Sequence, residues 1–454
     1  MTLPLEEEAL KLLGATEFSR EDSNGIAVYA NRAGPTLQEA RLCFVTNYPS
    51  AEEAAREEFL TDFYLAAAKK GTASHPTMDA LTRAFVSSRL NPPKLYTQRW
   101  REKVAFVLEM SLPAGDAGAR SLGQALPLVK DILSTPLVRT PGQGEEILEL
   151  TRQDSLKTIE DRTNDHGNHA RFLFNRRYFP QMEPLDVDAQ KALVGGASLA
   201  DLVAATEGLL AHAFPLLLFS GDASPEQIAA PFASLAAGYS PAGDESALSQ
   251  LEVLAMPPPG EPVFETGPSE QTQFISAYPL REAPATDRER FSLALVNAVL
   301  GGGWSGRLMQ VVREKHHLVY GIYSGFDDKR NLVMVRTEHD PRLYGRILGL
   351  VQGLVGEVAS GDFTDEEFTR QQEQMLESLL VSHGHELASC DQPSFRIDRA
   401  YNRFVIGGTD LPLAERYTIL AGLSPEDGRD AARRFLDPAL NQVFTYAKEV
   451  MPDA

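Results

Sequence analysis

Apolar residues recur along the chain with two different periods. Alternating or continuous apolar runs at residues 26–29, 41–45, 104–112, 216–219, 272–278, 332–336 and 443–447 predict β-strands. Between them the spacing is helical. Leu122, Leu126, Val129 and Leu133 fall on one stripe that Pro136 ends, and Phe291, Leu293, Leu295, Val296, Val299 and Leu300 mark a second helix. Thr364, three residues before Glu367, makes a capping box that opens a helix running through Leu380.

The order of elements can be read twice. Ser198 precedes Asp201 by three residues, then come a helix and an apolar strand; Ser424 precedes Asp427 in the same way, and 424 − 198 = 226 residues. An aromatic and arginine cluster lies upstream of each, FLFNRRYF around residues 176–179 and RAYNRF around 399–404. Glycine and proline concentrate between about 221 and 268. These features predict an α+β protein of two homologous halves, each an antiparallel or mixed sheet covered by helices on one face. The first half takes residues 1–225, the linker 226–268 and the second half 269–454.

Composition narrows the function classes. Lys plus Arg number 43 against 63 Asp plus Glu, a net charge of −20, which disfavours nucleic acid and anionic membrane surfaces as partners. No apolar run approaches the roughly 20 residues of a membrane span, and the acidic start MTLPLEEE lacks the basic residues of a secretion signal. Cys43 and Cys390 are the only cysteines, read as two packed thiols in a reducing compartment, so a cytoplasmic protein is expected.

Candidate chemistry centres on GGGWSGR at residues 301–307. Gly301, Gly303 and Gly306 match G-x-G-x-x-G, but a helical pattern precedes them where a dinucleotide site needs a strand. A helix–turn–helix joined by small residues is the simpler reading. Adjacent His316 and His317 point about 100° apart on a helix and cannot share an ion. His166 with His169, and His383 and His385 with Glu386, have short spacings but no evident third ligand; His75, His212 and His339 are isolated. There is no G-x-S-x-G elbow. The residues alone show no self-sufficient catalytic centre.

The stretch LGGGWSGRLMQVVREKHHLVYGIYSG, residues 300–325, strongly resembles the C-terminal-half motif of the pitrilysin-type zinc peptidases, the superfamily of insulin-degrading enzyme and mitochondrial processing peptidase. Its glycine cluster, Ser305, Arg307-Leu308, Arg313-Glu314-Lys315 and Tyr320 carry the likeness, and FTDEEF at 363–368 is similar to the family's next helix start. The resemblance covers about residues 25–448 and implies a clamshell of paired halves.

In active members an inverted motif, His-x-x-Glu-His, lies upstream of a Gly-Thr pair that Gly71-Thr72 resembles. Family spacing puts the histidine positions on Asp62 and Ala66 and the glutamate on Leu65, while Glu145, Glu146 and Glu149 lie where a third ligand would be sought. No zinc ligand set is expected in this chain. The resemblance further implies that Arg313 and, since 320 − 313 = 7, Tyr320 reach toward the zinc site of an opposing half-shell, with Gly301, Gly302, Gly303 and Ser305 against the substrate. The implied protein is a non-catalytic partner of a homologous zinc-bearing subunit, enclosing peptides and holding no cofactor of its own. Two other readings stand beside it: a peptide-binding or scaffold protein without proteolysis, and a lone metalloenzyme using His383, His385 and Glu386.

Overall fold

The computed structural model describes residues 10, 13, 17–23, 25–31, 37–250, 252–380, 392–406 and 411–449. Its first half folds as β1 (Ser19–Ser23), β2 (Ile26–Asn31), β3 (Leu37–Asn47), α1 (Ala51–Ala68), α2 (Met78–Ser87), β4 (Lys94–Trp100), β5 (Lys103–Pro113), α3 (Asp116–Ser134), α4 (Gln143–Asn164), α5 (His166–Tyr178), α6 (Val187–Gly196), α7 (Leu199–His212), β6 (Phe214–Ser220) and α8 (Pro225–Ala237). The second folds as β7 (Val263–Thr266), β8 (Thr272–Pro279), α9 (Asp287–Gly301), β9 (Ile322–Asp327), β10 (Leu332–His339), α10 (Tyr344–Ser360), α11 (Asp365–Leu380), α12 (Pro393–Phe404), α13 (Leu413–Ala421), α14 (Pro425–Phe435) and β11 (Gln442–Ala447).

The two sheets have one topology. The first runs β1-β2-β6-β3-β5-β4 and the second β7-β11-β8-β10-β9. In each, the half's last strand inserts parallel to an early one, β6 beside β2 and β11 beside β7, and every other pairing is antiparallel. Among the described strands only β1 is extra. Both Ser-Asp capping boxes form as the repeat requires, ahead of α7 and α14.

Alternation along the strands divides each sheet into two apolar faces. In the first sheet Val28, Leu42, Phe44, Phe106 and Leu217 point into a core built with α1, α3, α7 and α8. Helix α8 therefore packs with the first half although the sequence reading ended that half at residue 225: Ile228 and Phe232 are fully buried there. In the second sheet Phe274, Val333, Val335 and Val443 face α9, α10, α11 and α14.

Coverage of the opposite faces differs from the sequence expectation of helices on one face only. Tyr29, Cys43, Val45, Val107 and Leu218 of the first sheet lie under Ile397, Ala400 and Tyr401 of α12, a second-half helix. Ile275, Ala277, Met334 and Phe444 of the second sheet lie under Ala170 and Phe174 of α5, a first-half helix. Each half thus lends the other a helix. The physical reason is that strands apolar on both faces need two covers. The lent helices contain the paired aromatic and arginine clusters of the sequence. Tyr29 stacks on Phe404 at 4.1 Å between ring centres, and Phe174 meets Phe444 edge-on at 6.0 Å.

Polar ties accompany the exchange. Arg41 of β3 sits opposite Glu109 of β5 in register, bonds it at 2.5 Å, and reaches Asp398 of α12 at 2.6 Å. Buried Lys103 donates to the Val405 carbonyl at 2.9 Å. On the other side Arg330 donates to Asn175 of α5 at 2.7 Å. Phe174→Ala, a first-half substitution, is accordingly expected to cost about 3–5 kcal/mol. Hydrogen exchange should show the lost protection in β8 and β11 of the second sheet; protection lost only around α5 would contradict the exchange.

Candidate functional site

Helix α1, capped by Ser50 on the Glu53 N–H, carries the positions at which the resemblance seeks a zinc motif. Asp62 accepts the Thr97 N–H of β4 at 2.9 Å, Leu65 is buried, and Ala66 is exposed. One turn earlier Glu58 pairs with Arg99 at 2.9 Å; burial outweighs that arginine and pushes the carboxyl up to about 7. Glu145, Glu146 and Glu149 lie exposed in the first turns of α4, and Glu149 pairs with Arg152 at 3.2 Å.

One carboxylate already bonded to the backbone, a leucine and an alanine do not fit zinc. Among the described residues no group of three His, Cys, Asp or Glu side chains could hold a metal. His166 and His169 flank the Tyr446 ring at 6.2 and 5.3 Å, and His316 meets Arg346 at 3.3 Å. His383, His385 and Glu386 lie outside the described residues, as does Cys390; Cys43 is a buried free thiol whose pKa burial raises to about 12.

The opposite pole of the motif is built on α9, which a Thr286–Glu289 capping box opens and Gly301 ends. The segment before the glycines is thus a helix, and the dinucleotide pattern lacks its strand. A β-carbon on buried Gly301 would collide with Ser324 of β9, so glycine lets helix and strand touch. Gly302 caps the helix, and Gly303 takes φ +66°, turning the chain into a short 3₁₀ turn. The next helical segment winds as a π-helix over Met309–Lys315, the wider coil often met where function displaces a residue.

That geometry brings Arg313 and Tyr320 together. The Arg313 guanidinium lies 4.4 Å from the Trp304 ring centre and 5.7 Å from that of Tyr320, and it pairs with Glu314 at 2.6 Å. Tyr320 is 86% exposed and Trp304 67%. The stack stands at the start of β9, the edge strand of the second sheet. Ser305 is turned away from it, accepting from Gln371 at 2.9 Å and donating to Gln374 at 3.3 Å on α11. Trp304 was not singled out by the sequence; an aromatic residue inside a glycine run was its only signal.

Arg307 is a fastener. It bonds Glu367 through two nitrogens at 2.7 and 2.9 Å, and Glu367 also closes the capping box on Thr364. The arginine holds the Glu367 carboxyl down at about 2. A carboxyl depressed from an unfolded value of about 4.3 stabilises the fold above that value, and the contribution disappears as pH falls from there toward 2. Glu367→Gln should therefore lose about 2 kcal/mol at pH 7. The gap between variant and parent in urea midpoint should narrow to roughly half by pH 3 and close only below about pH 2; a pH-independent gap would contradict the assignment.

Comparison with known proteins fits this architecture. The Peptidase M16 inactive domain family model matches residues 217–375, the stretch that includes Gly301 to Tyr320. An uncharacterized zinc protease of Streptomyces coelicolor is 29% identical over 154 residues, 33% of this chain and 32% of that protein, so the match spans about a third of the relative's length. A conserved protein from Enterococcus faecalis has a TM-score of 0.78 at 16% identity, covering 96% of this chain and 100% of that one. A peptidase M16 inactive domain from Pseudomonas fluorescens has a TM-score of 0.72 at 19% identity, with 96% and 98% covered. At such identities the two structures show likeness of fold.

Proposed function

We propose that the chain is a member of the pitrilysin-type M16 superfamily without the His-x-x-Glu-His motif, and that it is the non-catalytic subunit of a heterodimeric zinc endopeptidase. In this reading it encloses an extended peptide together with a homologous zinc-bearing subunit and contributes Arg313 and Tyr320 to that subunit's site. The supporting observation is the asymmetry between the two poles. The α1 positions have become structural, with Asp62 spent on a strand N–H, while Arg313 and the exposed Tyr320 stand together beside an edge strand.

An arginine fork and a phenol hydroxyl are donors suited to a peptide backbone and to the oxyanion that forms as water attacks a carbonyl. The free edge of β9 offers main-chain groups to an extended peptide. The zinc is assigned to the partner and none to this chain. Affinity capture of the tagged protein from its native extract tests the proposal: a chain carrying His-x-x-Glu-His should elute in equal amount. Recovery of this chain by itself, or with an unrelated assembly, would remove the peptidase reading and leave a scaffold or peptide-binding role.

A further inference from the structure

The two halves treat corresponding strand edges in opposite ways. β4 ends the first sheet beside β5, and β9 ends the second beside β10. A helix packs on each, α1 on β4 and α9 on β9.

Along an antiparallel edge strand, the main-chain groups of every second residue point to the neighbouring strand, and those of the residues between point away from the sheet. The Thr97 N–H goes to Asp62 of α1 at 2.9 Å rather than to Phe106 across from it on β5, so residues 95, 97 and 99 form the outward set of β4. The Leu95 carbonyl, in the same set, accepts from Lys69 Nζ at 2.6 Å. Asp62 and Lys69, the C-cap of α1, are about two helical turns apart and stand on one face. Arg99 completes the row. Glu58, one turn before Asp62, holds its Nε at 2.9 Å, and its Nη2 reaches the Met182 carbonyl at 2.7 Å. Leu95 and Thr97 are both buried.

β9 has no such cover. What α9 sets against it is Gly301, packed on the Ser324 main chain, and the Asn297 carbonyl, which takes the Ser324 hydroxyl at 3.2 Å. Among the described residues no side chain bonds a main-chain group of β9.

An added strand pairs with the free N–H and C=O groups of an edge, and side chains that occupy those groups exclude it. Asp62 and Lys69 occupy a donor and an acceptor on consecutive outward residues, the rungs on which a strand added to β4 has to pair. We propose that α1 plugs the β4 edge, so that of the two corresponding edges only β9 takes an extended peptide. The inference rests on the peptide-binding part of the reading above. It gives Asp62, at a position where the resemblance seeks a zinc ligand, the task of turning substrate away. The bond needs an acceptor rather than a charge: burial already holds the Asp62 carboxyl above its usual range, so Asp62→Asn should keep the plug.

Hydrogen exchange of the full chain, resolved to single amides, tests this without and with an end-capped peptide of about ten alternating threonine and lysine residues. Without peptide, Asp62→Ala should speed exchange at Thr97 about tenfold and Asp62→Asn should leave it unchanged. An unchanged Thr97 rate in Asp62→Ala overturns the plug. Exchange in β3 reports whether the sheet survives; if alanine loosens it, Asp62→Leu, which keeps the volume without the acceptor, takes its place. With peptide, new protection should appear in β9 of the parent and in both β9 and β4 of the double variant Asp62→Ala with Lys69→Met. Protection of β4 in the parent, or of β9 alone in the double variant, overturns the plug and leaves peptide binding standing. Protection confined to β4 of the double variant upholds the plug and removes the β9 reading. No protection in either protein overturns both.

Discussion

Arg313→Ala and Tyr320→Phe are each expected to lower peptide hydrolysis by the assembled complex about 10²–10³-fold, the usual loss when one donor to a developing oxyanion is removed. Assembly should survive. Tyr320 is 86% exposed, and the ion pair of Arg313 is with its sequence neighbour Glu314, so neither substitution opens a core. The loss should fall on kcat more than on KM, because a donor aimed at charge that develops in the transition state contributes little to ground-state binding. Arg313→Lys should rescue poorly, since an ammonium lacks the planar fork and stacks less well between Trp304 and Tyr320. Steady-state kinetics of the reconstituted pair decides the matter, and unchanged turnover in both variants would rule out the donated-site reading.

Arg41→Met should destabilise the whole chain by about 3 kcal/mol in urea unfolding monitored over both halves. Its guanidinium and the Glu109 carboxylate are each only 6% exposed, and removing the cation strands a buried anion. Lys94 also reaches Glu109, at 2.5 Å, which keeps the cost below the upper end of the range for broken buried pairs. Replacing both partners, Arg41→Met with Glu109→Met, should recover much of the loss, because two apolar side chains need no counter-ion. If the single and double variants are equally destabilised, the pair does not act as a unit and the contact to Asp398 dominates instead.

The internal strands were legible from sequence because they are apolar on both faces, and β2, β3, β5, β6, β8, β10 and β11 contain the seven predicted runs. The edge strands escaped. β4, KLYTQRW, and the four-residue β7, VFET, are polar on one side and follow prolines, so their periodicity is lost among turn signals. Capping boxes were readable because a serine or threonine and an acid three residues apart are enough to form them locally. The helix exchange was not, since amphipathicity says that α5 and α12 bury a face without saying which sheet receives it.

The site divides in the same way. Both poles were located only through the resemblance: its spacing pointed to Asp62, Leu65 and Ala66, whose side chains are unfit for zinc, and its motif to Arg313 and Tyr320. The Trp304 contact depends on a π-helical turn that no periodicity encodes.

The exchange of α5 and α12 also sets the mechanics of the molecule. Pulling the two halves apart would strip a helix from each sheet and expose Tyr29, Val45, Ile275 and Phe444 to water together, breaking Arg41 from Asp398 on the way. A hinge in the middle of the chain is therefore stiff, and the two halves move as one body. In the two-subunit arrangement proposed above, the joint that admits a peptide would lie between this chain and its partner.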